Sequence, residues 1–583
     1  MRVDRVASFT RKIFSPPVIP KHAPSIFQFD VFLDKGGVQI HFRSAVFRCS
    51  LSAAGFSCAS VPLAPPAHSL IMKHLVPILA VAAVCSCLHS ASADVKLPPA
   101  ISDHMVLQCD PAAPIWGTAS PSEEVTVEIA GQKKSAKADA DGKWRVTLDG
   151  LKSGGPHTLT VKGKNSIAVN DVLIGEVWVG SGQSNMAGGV RGFSVNDPVL
   201  AEAAKQTYPK LRILHGGKWE VAAPASTAGF SAILFSFGVA LHRDLGVPVG
   251  LYVGAVGGTP SGYWLTEEMF RADAACQQQV KQAATTYKPD EEQKKYEAAL
   301  AKWKIAEEAG KLAGKPASRE PAKPVAPGSV TGGKFGFLYE AHVRPFVGYG
   351  IRGVLWDQGE SGTAISGADQ FNVMGALIRG WRKDWGQDFP FLYVQKPSGM
   401  GCAWDLNDPV TKNASKFEAL PAPVPVNGAY RELHVKIHQH PNTAMVPSTD
   451  LGMNTHPTNK SGYGERAARV ALGFVYKKPV EFSGPLYVSH VVEGGNVRIK
   501  FAHTGKGLAA AQSDKLQGFA IAGTDKKFVW ADAVIDGDSV LVSSAAIPNP
   551  VAVRYAWSQS IPWANLFNKD GLPAQAFRSD DWK

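Results

Sequence analysis

Val177-Trp178-Val179-Gly180-Ser181-Gly182-Gln183-Ser184-Asn185-Met186 opens with an apolar run and breaks into small residues. An apolar run of this kind reads as a buried strand, and a small-residue turn at its end lifts a serine hydroxyl out at the C-terminal edge of a sheet. A serine hydroxyl is a weak nucleophile until a base takes its proton. Far downstream, His456-Pro457 lies within Asn454-Thr455-His456-Pro457-Thr458-Asn459-Lys460. An imidazole titrates near neutrality, which suits taking a proton from Ser184 and returning it to a departing alcohol. Pro457 biases His456 toward extended backbone, as in a loop that projects its ring to a sheet edge. In isolation the same residues also read as a helix-capping serine and an exposed, inert histidine.

Around this stretch the pattern is one of buried strands alternating with helices over residues 171–476, as in the runs from Val249 to Val256, Gly353-Val354-Leu355-Trp356 and Phe391-Leu392-Tyr393-Val394. Continuous apolar strands with helices between them predict a parallel sheet covered on both faces, with ligands beyond the carboxyl ends of its strands. Residues 94–170 alternate apolar and polar positions between turn signals, as in Glu124-Val125-Thr126-Val127-Glu128-Ile129, and predict a small N-terminal β-sandwich. The alternation returns over 477–583, predicting a C-terminal β domain. Residues 266–330 read as an insertion whose Ala/Glu/Lys-rich core carries Tyr296, Leu300 and Trp303 at helical spacing and ends in Pro316, Pro321, Pro324 and Pro327. That pattern predicts a solvated amphipathic helix and an extended return. The chain of 583 residues exceeds the roughly 250–300 that one core sustains, so several domains are expected.

Lys73 and His74 precede the apolar stretch 75–84, and Ala91-Ser92-Ala93 supplies small residues before Asp94. Residues 72–93 are therefore predicted to be a signal peptide, with a periplasmic or secreted product. A leader belongs at a terminus, so residues 1–71 read as a spurious or disordered extension. Residues 1–93 hold nine Lys or Arg against three acids, which accounts for six of the net charge of +11. No basic stripe with interleaved aromatics is present, and a nucleic-acid partner is not expected. No apolar run beyond the leader is long enough to span a bilayer. Three of the seven cysteines, Cys109, Cys276 and Cys402, follow Ala93, and none forms a Cys-x-x-Cys pair. His434, His438 and His440 lack neighbours at zinc-ligand spacing, so no metal and no nucleotide cofactor is expected.

Ser102-Asp103-His104-Met105, Gly175-Glu176-Val177-Trp178, Gly257-Gly258-Thr259-Pro260, Trp356-Asp357-Gln358-Gly359-Glu360-Ser361 and His456-Pro457 occur in this order. Together they resemble the bacterial sialate O-acetylesterase family of the SGNH hydrolase superfamily across residues 94–583. The resemblance implies an α/β fold: an SGNH-type parallel-sheet hydrolase domain flanked by N-terminal and C-terminal all-β domains. It implies an exported serine esterase that removes O-acetyl groups from sugars through an acetyl-enzyme, with an acetylated carbohydrate as partner. It also implies an oxyanion hole built from the backbone N–H groups of Ser184 and Gly258 and the side-chain amide of Gln358. Gln183, Asn185, Gly257 and Glu360 are then expected to contact substrate or support the site.

Many SGNH enzymes carry an aspartate three residues before the histidine, where this chain has Met453. Asp450 reaching around the turn, or a Ser–His dyad whose ring is oriented by Asn454 or a backbone carbonyl, are the two readings. Acetylxylan or another acetylated polysaccharide is an alternative substrate, because loops choose the sugar. A non-catalytic glycan-binding protein is the alternative from another class.

Overall fold

The computed structural model describes residues 94–582 apart from 315–317 and 319, together with four backbone strands within residues 30–60. Residues 91–583 form one compact unit. The predicted signal peptide, 72–93, lies outside the described residues, as does most of the extension before it. Within that extension, Asp30–Asp34, Gly37–Phe42, Ala45–Ser52 and Gly55–Ser60 pair as successive antiparallel neighbours.

The fold of the compact unit is mixed α/β with several sheets. Its central sheet has, among the described residues, six parallel strands: β1 (Ser166–Gly182), β2 (Tyr208–His215), β3 (Val249–Ala255), β4 (Gly353–Asp357), β5 (Phe391–Val394) and β6 (Thr443–Val446). Their spatial order is β2-β3-β1-β4-β5-β6. The antiparallel strand Lys218–Ala222 lies on the outer edge of β2.

The register explains why these strands read as continuous apolar runs. Val179, Val354 and Phe391 lie side by side and face one core with Trp356, Tyr393 and Met445, while Leu355, Leu392 and Ala444 face the opposite core with Trp178 and Leu251. Burial on both faces leaves no polar side of the sheet to show an alternation. Helix Gln370–Trp385 covers the first face through Val373, Leu377 and Trp381. Helices Ala232–Leu245 and Lys460–Val470 cover the second. Their starts are fixed by capping side chains, Asp369 accepting from Asn372 N, Ser231 from Leu234 N and Asn459 from Gly462 N.

β1 runs unbroken through residue 170. Its first half pairs antiparallel with Gly154–Lys162, and its second half lies parallel between β3 and β4. The small N-terminal sheets and the central sheet therefore share one backbone strand and one continuous core, from Val125, Trp144 and Leu159 to Val177 and Trp356. Strand Lys143–Asp149 alternates exposed and buried positions without exception, as a half-buried strand must. After residue 485 the chain returns to strands, packed around Val497, Ile499, Phe519, Ile521, Val540 and Leu566. Residues 267–312 form the helices Glu267–Ala272, Ala274–Thr286 and Pro289–Leu312. On the last of these, Tyr296, Leu300 and Trp303 are half-buried while Ile305 and Leu312 are exposed.

Two helices on the Trp178 face meet at a glycine. A Cβ on Gly464 would stand 2.4 Å from Ser236 Cβ and 2.6 Å from Phe237 N. Gly464→Ala must push the helices apart despite its better helix propensity. It is expected to destabilise the protein by about 1–3 kcal/mol, read as a lower midpoint in urea unfolding at unchanged slope.

Candidate active site

The carboxyl ends of β1, β3 and β4 stop level with one another. Gly182, the last residue of β1, pairs with Ala255 on one side and Asp357 on the other. The chain must then turn sharply. Gly182 adopts φ 129°, and a Cβ there would stand 2.1 Å from Asp357 O, so only glycine fits. Gln183 N donates to Asp357 O at 2.8 Å, and Ser184 opens the single-turn helix Ser184–Ala187.

This turn presents Ser184 to the loop that carries His456. The His456 Nε2 to Ser184 Oγ distance is 2.7 Å across 272 positions of sequence. With the ring proton on Nδ1, the serine hydroxyl donates to Nε2, the arrangement that a general base requires. His456 is exposed, as are Met453, Asn454 and Thr455 before it.

The other residues singled out in the sequence fall into three groups. Gly257 lies against Ser184, its Cβ position 3.5 Å from Ser184 Cβ. Gly258 has φ 71°, and its loop is pinned by Thr259 Oγ1 donating to Val256 O at 2.7 Å and accepting from Trp264 Nε1 at 3.0 Å. Gln183 and Asn185 flank Ser184 and both donate to Glu360, Gln183 Nε2 to Oε2 at 2.7 Å and Asn185 Nδ2 to Oε1 at 2.9 Å. Gln358 is buried beyond β4, with its amide nitrogen donating to Gly362 O at 2.9 Å and to Thr259 O at 3.4 Å. Its oxygen accepts from Gln370 Nε2 at 3.0 Å. An oxyanion would have to draw the amide away from the longer of those two carbonyl contacts.

Asp450 and Asn454 are not brought to the His456 ring. Asp450 is fully buried and gives both oxygens to Arg466, at 3.0 and 2.8 Å. Asn454 sits at φ 70° on the exposed turn. Among the described residues, none makes a hydrogen bond to His456 Nδ1. The three histidines of the 434–440 tract occupy separate surroundings. His438 meets Val435 O, His440 meets Phe371 O, and His434 is buried against the Tyr430 ring with neither nitrogen hydrogen-bonded. Burial, with Lys396 close by, pushes the His434 ring down to about 3, so it is neutral at ordinary pH.

Lys396 was not singled out in the sequence. Its ammonium is fully buried, 2.6 Å from Asp357 Oδ1 and 2.7 Å from Glu360 Oε1. Burial alone would raise the Glu360 carboxyl, but Lys396 holds it below its ordinary value. Burial dominates at Asp357, which is raised. The position was visible in one respect: a lysine directly beyond the carboxyl end of a buried strand, Phe391–Val394, stands where open α/β sheets keep their sites.

A cavity of about 550 Å³ begins one helical turn past Ser184. Ala187, Leu214, His215 and His342 line it together with Tyr252 and Phe346, whose rings stack at 4.4 Å. It opens where β2 ends short of β3, the crevice expected at a carboxyl edge. A second hollow of about 690 Å³ shares His215 and Gly229 with the first and extends to Arg191, Lys218 and Glu220.

No protein-family model matches the chain. It is 27% identical over 540 residues to the sialate O-acetylesterase of Mus musculus, spanning 80% of this chain and 90% of that one. With the sialate O-acetylesterase of Homo sapiens the identity is 26% over 527 residues, spanning 80% of this chain and 88% of that one. The crystal structure of a carbohydrate acetylesterase from Xanthomonas citri is 30% identical, with a TM-score of 0.63, and the likeness spans 84% of this chain and all of that one. A serine and histidine at hydrogen-bonding distance at the carboxyl edge of a parallel sheet accord with those likenesses, and the chain belongs to the sialate O-acetylesterase family of carboxylic ester hydrolases.

Proposed function

We propose that the protein is an exported SGNH-type serine esterase that removes O-acetyl groups from sugars, with acetylated sialic acid as its substrate. The observation that carries the chemistry is the 2.7 Å contact between Ser184 Oγ and His456 Nε2. Ser184 Oγ attacks the acetyl carbonyl carbon while His456 Nε2 takes its proton. The tetrahedral oxyanion is held by backbone N–H groups of Ser184 and Gly258, each such donor worth about 3 kcal/mol of barrier. The C–O bond to the sugar breaks, and His456 returns the proton to the departing hydroxyl. Water, deprotonated by His456, then attacks the acetyl-enzyme and releases acetate. In this reading the catalytic domain spans 171–476, with β domains over 94–170 and 477–583 on either side.

The sugar is assigned to the cavity past Ala187, where the Tyr252–Phe346 stack offers an apolar face and His215 and His342 offer polar groups at its rim. An acidic sugar is supported by Arg191 and Lys218 in the adjoining hollow. Among the described residues neither has an ion-pair partner, and one carboxylate, Glu220, shares their wall. The sialate O-acetylesterases of mouse and man support the same choice. A polar-edged cavity of this size also suits acetylated xylose units, and the carbohydrate acetylesterase likeness favours keeping that second reading.

Ser184→Ala is expected to lower acetate release from p-nitrophenyl acetate by roughly 10⁴-fold or more while leaving the fold intact, and to abolish labelling by a fluorophosphonate. Full activity in that variant would exclude the mechanism. The paired change Arg191→Ala/Lys218→Ala is expected to lower kcat/KM for O-acetylated sialic acid relative to acetylated xylo-oligosaccharide by about 10-fold or more. An unchanged ratio would favour the neutral glycan.

A further inference from the structure

We infer that Lys460, acting through Asn185, is a positioning residue that holds His456 against Ser184 in the role that a triad acid fills elsewhere. The inference rests on the ester-hydrolase reading of the same site. His456 sits on an exposed turn, with Asn454 in the left-handed region and no described partner on Nδ1. Something other than a hydrogen bond on Nδ1 must keep the ring aimed at Ser184, with Nε2 2.7 Å from Oγ.

Among the described residues, the tie to the chain beside His456 runs through the main chain. Asn185, the residue after the nucleophile, donates from Nδ2 to the carbonyl of Thr455, the residue before the base, at 2.9 Å. The second hydrogen on Nδ2 goes to Glu360 Oε1 at 2.9 Å, and Oδ1 accepts from Lys460 Nζ at 2.5 Å. The amide therefore has one possible orientation. Turned over, its oxygen would face a carbonyl and a carboxylate, and its NH₂ would face an ammonium. Lys460 enforces the choice, because it is the donor that only an amide oxygen can meet.

The surroundings of Lys460 show that its placement is expensive. It is fully buried at the first position of helix Lys460–Val470, with its ammonium 4.4 Å from the Phe193 ring centroid and 5.5 Å from that of Tyr463. The charged groups acting on it from packed elements are Asp357, Lys396, Glu360 and Asp197. Burial brings the ammonium down to about 7, and Lys396 adds to that, against the pull of the three carboxylates. An apolar side chain of similar length would fill the space at lower cost to stability. What such a side chain could not do is accept the orientation of Asn185 as its own constraint on Thr455. Lys460 is also only four residues beyond His456, so the helix that it starts anchors the chain just after the base-bearing turn.

The test uses the full protein and p-nitrophenyl acetate, with Lys460→Met, Asn185→Ala and the double variant compared under saturating substrate. Each single change is expected to lower kcat by roughly 10- to 100-fold with little change in KM, as for a misplacement of about 1 Å. Because one residue acts through the other, the double variant should be no slower than the slower single. Losses that multiply, or a Lys460→Met enzyme with wild-type kcat, would overturn the inference. Should Lys460→Met fail to fold, judged by its thermal midpoint, Asn185→Asp carries the test without a cavity. It sets an oxygen against Thr455 O and Glu360, so kcat, measured below the variant's own thermal midpoint, should fall, and retained kcat would overturn the inference. A wild-type enzyme without esterase activity would sink the ester-hydrolase reading itself, whereas an active wild type with indifferent variants would sink only the brace.

Discussion

Gln183 N donates to Asp357 O at 2.8 Å, and Val256 N donates to Gly182 O at 3.1 Å. These two backbone hydrogen bonds continue the sheet one step past the strand ends and make three loops leave it at a common level. The Ser184 turn, the Gly257–Gly258 loop and the Gln358–Glu360 segment follow β1, β3 and β4 respectively, and they are adjacent only because β1 lies between the other two. The glycine at 182 is the condition for this, since any side chain would collide with Asp357 O. A one-residue slip in either pairing would turn Ser184 away from His456, because side chains alternate faces along a strand. The 17-residue length of β1 helps resist such a slip. Its other end is pinned in antiparallel pairing with Gly154–Lys162, so the small N-terminal sheets help set the register of β1 where it meets β3 and β4.

Beneath those loops lies a cluster of charge that a simple area argument would not predict. Asp357 and Lys396 are wholly buried and Glu360 is four-fifths buried, so three formal charges sit where desolvation is costly. Removing one partner of such a group strands the others and typically costs about 3–5 kcal/mol. The arrangement makes sense once its outward contacts are followed. Glu360 receives Gln183 on one oxygen and Asn185 on the other, which grips the nucleophile turn on both sides of Ser184. Lys396 neutralises Glu360 from behind and lets it remain a carboxylate, the form that accepts both amides. Rigidity at Ser184 is obtained from charge rather than from packing, because a packed apolar cluster would leave the amides of Gln183 and Asn185 unpaired.

Much of this was legible in the amino-acid sequence and some of it was not, for a physical reason. The run Val177-Trp178-Val179 followed by small residues, and the proline after His456, are local signals, because strand burial and turn geometry are set within a few residues. They singled out Ser184 and His456, which stand 2.7 Å apart in the structure. For the group behind His456 the sequence left two readings open, Asp450 around the turn or a Ser–His dyad oriented by Asn454 or a backbone carbonyl, because distance along the chain does not fix which side chains meet. Asp450, six residues before His456, belongs to an ion pair with Arg466 on the following helix, a pairing set by how that helix packs. Gln358 was assigned by resemblance to an oxyanion role, while the fold turns its amide toward the carbonyls of Gly362 and Thr259. Lys460 carries no local signature of burial, and Lys396 has only its place beyond the carboxyl end of the buried strand Phe391–Val394. A lysine reads as exposed until the partners that surround it are known, and those partners come from four separate segments.

The lack of an acid behind His456 follows from where the ring stands. In a Ser–His–Asp triad the carboxylate is buried with the ring and offsets the imidazolium that forms during attack. His456 is exposed, so in the proposed mechanism its imidazolium is open to hydration, and much of the electrostatic need for a carboxylate is met by solvent. What water cannot supply is orientation. An exposed ring on a flexible turn would spend much of its time away from Ser184, and each lost contact would lower the effective concentration of base. The tie from Asn185 to Thr455 O acts on that deficit directly, by fixing the main chain from which the ring projects. Stabilising the charge and aiming the ring are two functions that one buried aspartate combines. In the proposed mechanism they are separated, the first going to solvent and the second to Asn185, the residue after Ser184.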